Sequence, residues 1–108
     1  MSPEPVLIVL TNLPSREAGL ALARALVERR VAACVNVLAE CTSVYRWKGE
    51  IETAAETPLL IKVPAGRYDE LARAIRELHP YELPEIVALP ISAGLPAYLD
   101  WVREQTRP

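Results

Sequence analysis

The stretch "LHPYELPEIVALPI" (Leu78–Ile91) gathers most of the residue types in this chain that could do chemistry. His79 is the only histidine, and Tyr81, Glu82 and Glu85 follow it closely. Neutral imidazole is the commonest metal ligand among side chains. The same imidazole, placed before Pro80, also suits the end of a helix, where the dipole favours it and solvent reaches it in part. Cys34, within "VAACVNV", has two readings as well. A cysteine among apolar residues is ordinary core filler, whereas a thiolate selects soft Cu(I). One Cys and one His cannot close a zinc site, which takes four ligands. The chain contains no CxxC and no HxxxH. A metal here must therefore be low-coordinate Cu(I), recruit Glu82 and Glu85, or be shared between subunits. Without a metal, those glutamates read as solvated loop residues.

Catalysis finds less support. Cys34, His79 and Glu85 supply the types for a nucleophile, a base and an orienting acid. No nucleophile elbow or phosphate-cradling loop accompanies them, and the four glycines are scattered. The chain is read as a binding protein and not an enzyme.

Bulk composition narrows the partners. The net charge is −2 with both signs interspersed, and no basic cluster marks a nucleic-acid face. No apolar run approaches the roughly 18–20 residues of a membrane span. The start, "MSPEPVLIVLTN", lacks the basic region of a signal peptide, so the expected compartment is the cytoplasm. Cys34 and Cys41, seven residues apart on one extended strand, would be about 23 Å apart. A disulfide needs Cα atoms within about 7 Å, so both are expected as thiols.

These residues must be positioned by regular elements. "PVLIVLTN" (Pro5–Asn12) is an apolar, β-branched run that predicts a buried strand. A helix follows, with Ser15 as N-cap and Ala18, Ala21, Leu22, Ala25 and Leu26 on its apolar face. Val31–Trp47 reads as one long strand, Lys48-Gly49 as a turn, and Glu50–Val63 as the return arm. Pro58 cannot donate to a ladder and predicts an edge or a bulge. Arg46 and Glu50 flank the turn and suggest an ion pair across it. Pro64–His79 is amphipathic, with Tyr68, Leu71, Ala72, Ile75 and Leu78 on one face. Leu83–Ile91 reads as a strand and Leu95–Pro108 as a terminal helix. The order β-α-β-β-α-β predicts a single α+β domain spanning residues 1–108, a ferredoxin-like antiparallel sheet with helices on one face, a long β-hairpin and an added C-terminal helix. Its strands carry apolar residues on both faces, so the uncovered face predicts self-association.

In order and spacing, "RRVAACVNV", "SVYRWKGEIE", "LLIKV", "HPYELPEIVALPI" and "YLDW" resemble the CutA proteins, the divalent-cation tolerance family. The likeness covers nearly the whole chain. It implies a ferredoxin-like fold, a tight homotrimer whose hairpins cross subunits, an architecture similar to PII-type signalling proteins, and a link to tolerance of divalent metals, copper above all. It points to Cys34 and His79 as copper ligands. It also implies an inter-subunit cleft where Tyr45, Trp47 and Lys62 of the hairpin meet Tyr81, Glu82 and Glu85, suited to a metal ion or a small anionic ligand. The alternative it leaves is a PII-like small-molecule sensor or scaffold without a physiological metal site. Tyr45 and Trp47 also read as trimer-interface anchors, since both types are enriched at interfaces. Cys41 matches no trusted position. Val63 departs from the pattern, since similar proteins usually carry a hydroxyl residue after the lysine.

Overall fold

In the computed structural model, residues 3–108 are described. Strand β1 (Val6–Leu13) leads to helix α1 (Arg16–Glu28), then β2 (Cys34–Val37), β3 (Cys41–Trp47) and β4 (Glu50–Pro64). A 3-10 turn (Ala65–Arg67) opens helix α2 (Tyr68–Leu78), followed by β5 (Val87–Pro90) and α3 (Pro96–Gln105). The sheet is antiparallel, in the order β2-β4-β1-β5, with β3 continuing along β4. This is the expected α+β, ferredoxin-like arrangement.

The local signals act as anticipated at the helix ends. Ser15 takes an extended backbone and its hydroxyl accepts the Ala18 N–H at 3.1 Å, which satisfies one orphan donor of the first turn. His79 closes α2 in an extended conformation, and its N–H donates to the Ile75 carbonyl at 2.7 Å. Pro80 disfavours the helical region for the residue before it. The buried stripe of α1 is rotated from the expected one: Gly19, Leu22, Ala23 and Leu26 face the sheet, and Ala21 faces solvent. Gly19 accounts for the rotation. A Cβ there would meet Thr57 at 3.3 Å and Leu59 at 3.4 Å, so the helix approaches β4 more closely than a larger residue allows.

One core lies between the sheet and helices α1 and α2. Val9, Leu13, Leu26, Leu59, Ile61, Val63, Leu71 and Ile75 are essentially inaccessible within it. Val63, the departure from the family pattern, points into this apolar core. The other sheet face, carrying Ile8, Leu10, Leu60, Val87 and Leu89, is covered only at one end. There α3 packs Val102 and Leu99 against Val6, Ala33 and Ile91. Leu89 remains 52% exposed.

The predicted strand over Val31–Trp47 is in fact two. Val37 pairs with Leu59, but Cys41 pairs with Glu56. Three residues, Leu38 to Glu40, therefore face two on β4, Thr57 and Pro58. This is a bulge of one extra residue. Pro58 has no N–H to offer, but its carbonyl still accepts the Leu38 N–H at 3.0 Å. Beyond the bulge, β1 has ended and only β3 and β4 continue as a two-stranded arm, giving a long axis of 49 Å. Strand β5 is shorter than the expected Leu83–Ile91, because Leu83 to Ile86 form the wall described below.

At the arm's tip, Trp47 pairs with Glu50 across a two-residue loop. Lys48 and Gly49 both have positive φ, 50° and 84°, which is the primed turn whose twist matches a hairpin. Arg46 stands opposite Ile51, on the face away from Glu50, so the expected Arg46–Glu50 pair is not formed. Gly49→Ala places a β-carbon in the left-handed region and should destabilise the hairpin by roughly 1 kcal/mol. Lys48→Asn should act in the opposite direction, since Asn tolerates that region. Thermal melts of the two variants beside the parent test the pair; equal melting would refute the turn geometry.

Candidate functional site

The residues singled out by sequence fall into two groups on different parts of the sheet. The first group is Cys34, Lys62 and their neighbours. Cys34 and Lys62 are direct cross-strand partners on the sheet face that carries Ile8. The Lys62 ammonium donates to the Asn36 side-chain oxygen. Tyr98 of α3 lies beside Cys34, and its phenol is pushed above its ordinary range by burial first and by Cys34 second. Cys34 is a free, half-buried thiol.

The second group surrounds His79. Its ring is 8% exposed and not the partly exposed helix end expected. One ring nitrogen, Nε2, donates to the Asn12 carbonyl at 2.7 Å, and the other, Nδ1, accepts the Tyr81 N–H at 3.1 Å. Both nitrogens are thus engaged by backbone, and the imidazole fastens the segment after α2 to the end of β1. Asn12 also donates from its side chain to Glu85 at 3.3 Å. The Tyr81 ring leans on His79 with centroids 4.8 Å apart.

The structure does not bring Cys34 and His79 together within one chain. Cys34 lies in register with Ile8 through Lys62, and His79 holds Asn12. Four residues of strand separate those levels, roughly 13 Å. Among the described residues, no three His, Cys, Asp or Glu side chains gather closely enough to hold a metal ion.

Tyr81 reaches across to the arm. Its hydroxyl donates to Glu56 at 3.0 Å. Glu56 is not among the residues singled out from the sequence. It is 8% exposed, because the bulge sets it just past the end of β1 and beneath the Tyr81 ring. The Tyr81 phenol is pushed up to about 12, by burial first, then by the hydrogen bond to Glu56 and its negative charge.

Together the arm and the Pro80–Val87 segment enclose a cleft of about 1010 Å³. Tyr45 and Trp47 line it from the arm, and Tyr81, Glu82 and Glu85 from the segment, with Glu56 at its base. Five of the six residues expected at a ligand cleft are therefore assembled by one chain. Lys62, the sixth, is held on the open sheet face by Asn36 and does not line it. The cleft's charged lining within the chain is acidic. At its rim, the Lys48 ammonium stands 5.6 Å from the Trp47 ring centroid and 3.9 Å from Glu82.

Comparison with known proteins decides the family. Residues 7–105 match the model of the CutA1 divalent ion tolerance protein. This chain belongs to that family. The "Divalent-cation tolerance protein CutA" of Thermus thermophilus is 48% identical over 99 residues, covering 92% of this chain and 96% of that protein. "Protein CutA" of Mus musculus is 40% identical over 104 residues, and the match spans 96% of this chain but 59% of the mouse protein. Among solved structures, the Thermus thermophilus divalent cation tolerance protein superposes with a TM-score of 0.92 at 47% identity, over 94% of this chain and 99% of that one. A structure described as the PII-like protein CutA from Nostoc sp. PCC 7120 in apo form superposes with a TM-score of 0.88 at 45% identity, over 94% of this chain and 97% of the other. The CutA-like fold read from the sequence motifs is thereby established.

The Tyr81–Glu56 bond has a measurable signature. A phenol whose folded value exceeds its unfolded value near 10 contributes full stability below about pH 10 and loses it as pH rises toward its folded value. Ultraviolet titration should show a phenolate step near pH 12, separate from the ordinary tyrosines, that is absent in Tyr81→Phe. An unchanged step in that variant would contradict the contact.

Proposed function

We propose that this chain acts as a homotrimer in divalent-cation tolerance, and that its working site is a ligand-binding cleft of the PII-like sensor kind. The cleft built from the arm and the Pro80–Val87 segment carries this reading. It is large enough for a small molecule, and its walls converge from sequence-distant elements. A non-catalytic role fits the imidazole of His79, whose two ring nitrogens are both held by backbone. Two unbridged thiols fit a reducing compartment such as the cytoplasm.

Self-association is supported by what the single chain leaves uncovered. Val44 and Ile51, at the arm, are 68% and 62% exposed. An isolated two-stranded hairpin is marginal in water, so an arm of this length needs a surface to lie on. The open sheet face offers one of matching character. A closed trimer, as the family resemblance implies, satisfies both at once. Light scattering on a sizing column should give about three times the 12.0 kDa chain mass; a monomer would overturn the assembly and the subunit cleft with it. A thermal-shift screen of small metabolites should find at least one that raises the melting point of the parent but not of Tyr81→Ala, and a screen with no such compound would count against the cleft.

A second reading keeps copper. It rests on Cys34, whose thiol is free and half-buried on the face where subunits would meet. With His79 engaged at both nitrogens, a Cu(I) ion there needs its further ligands from another subunit, or His79 must release a backbone contact. Native mass spectrometry of the reduced trimer with one copper per chain tests it. A fixed copper count that disappears in Cys34→Ala supports a site, and uptake independent of Cys34 removes it.

A further inference from the structure

The cleft's lining has a chemical bias that the family likeness does not supply. Its carboxylates are Glu56, Glu82 and Glu85, and no arginine or lysine lines it within the chain. Three aromatic rings stand in its apolar lining, Tyr45 and Trp47 from the arm and Tyr81 from the segment, beside the aliphatic Val44, Leu83, Ile86 and Val87. The carboxylates do not converge into a metal-binding cluster, so a bare dication would find neither the ligand count nor the geometry it needs. Aromatic faces flanked by carboxylates are the recognition elements of organic ammonium ions, through ring quadrupole and charge together. The chain shows this preference with its own side chain. Lys48, though largely exposed, stands 5.6 Å from the Trp47 ring centroid and 3.9 Å from Glu82. Deeper in the cleft stand Glu56, nine-tenths buried at the base, and Glu85 at the wall. Tyr81 holds one oxygen of Glu56 through Oε2 and, at neutral pH, keeps its proton, so it adds no charge of its own.

We infer that the cleft takes a small organic ammonium ion with an apolar body, the cation resting against Glu56 and Glu85 and the body between Trp47 and Tyr81. The inference rests on the cleft being the working site. It differs from the anionic ligand expected of an inter-subunit cleft that includes Lys62.

The test uses the full chain in its native assembly and three probes of one shape: 2-phenylethylammonium, 2-phenylethanol and 3-phenylpropionate. The readout is the nitrogen-15 spectrum, followed at the Trp47 indole N–H and the Tyr81 amide. The ammonium probe alone should move both signals saturably, and less so at high salt. Glu85→Gln and Glu56→Gln should each weaken it about tenfold, the scale of a lost charge-assisted contact. Gln at position 56 still accepts from Tyr81, so the wall stays in place. Lys48→Met should tighten binding by removing the internal competitor. Binding of the propionate or the alcohol as well as or better than the ammonium would overturn the inference while leaving the cleft reading intact. Silence of both signals with all three probes would overturn the inference and the cleft reading together.

Discussion

The whole molecule hangs on β4, a strand of fifteen residues that has to serve two structures at once. Its second half is the central strand of a packed sheet, paired on both sides and buried by two helices. Its first half is one side of a free arm. A regular strand keeps its side-chain alternation from end to end, which would carry the pattern of the core straight into the arm. The extra residue between β2 and β3 leaves that alternation intact in β4 but changes which side chains of the partner strand share each face. By shifting the register of the partner strand at Pro58, it bends the ladder and re-aims the arm where β1 stops. Proline is suited to that position because the ladder there has already lost a donor.

The cleft is a consequence of that bend. Glu56 is the first residue of β4 beyond the reach of β1, and a carboxylate would be costly to bury there without a partner. Tyr81 supplies the partner, and Tyr81 is in turn placed by the His79 ring, which accepts its N–H while holding Asn12. Both ring nitrogens are engaged in this arrangement. A histidine is well suited to it because the neutral ring offers a donor on one side and an acceptor on the other. The residue whose type most suggested metal chemistry is thus a fastener, and the wall it fastens carries the groups that face the ligand space.

Much of this was legible in the sequence, for identifiable reasons. Ser15, Pro80, the Lys48-Gly49 turn and the apolar runs are local signals, and each acts through its own backbone. The uncovered sheet face was legible too, from apolar residues on both parities of one strand. What stayed hidden depends on register. Pro58 announced an irregularity without saying which strand carries the extra residue, so the long strand over Val31–Trp47 reads as unbroken; at the tip, the two-residue turn pairs Trp47, not Arg46, with Glu50. Glu56 carries no local sign of burial, since the groups that bury it lie twenty-five residues on, at Tyr81. Lys62 stands beside Cys34 on the open face through strand alternation, and the family likeness places it at a cleft between subunits. A resemblance conveys which segments meet, whereas register decides which side chains do.

The open face and the cleft are also not independent surfaces. Val87 belongs to the exposed face through β5 and lines the cleft as well, and Val44 does the same from the arm. A neighbouring subunit that covers the arm and the face must therefore touch the walls of the ligand space. Assembly and ligand binding then share residues, and linkage makes the effect mutual: a ligand that favours the assembled form stabilises it by as much as assembly improves the ligand's affinity. No large internal motion is needed, because the wall that would respond is the loop His79 already holds by two backbone hydrogen bonds.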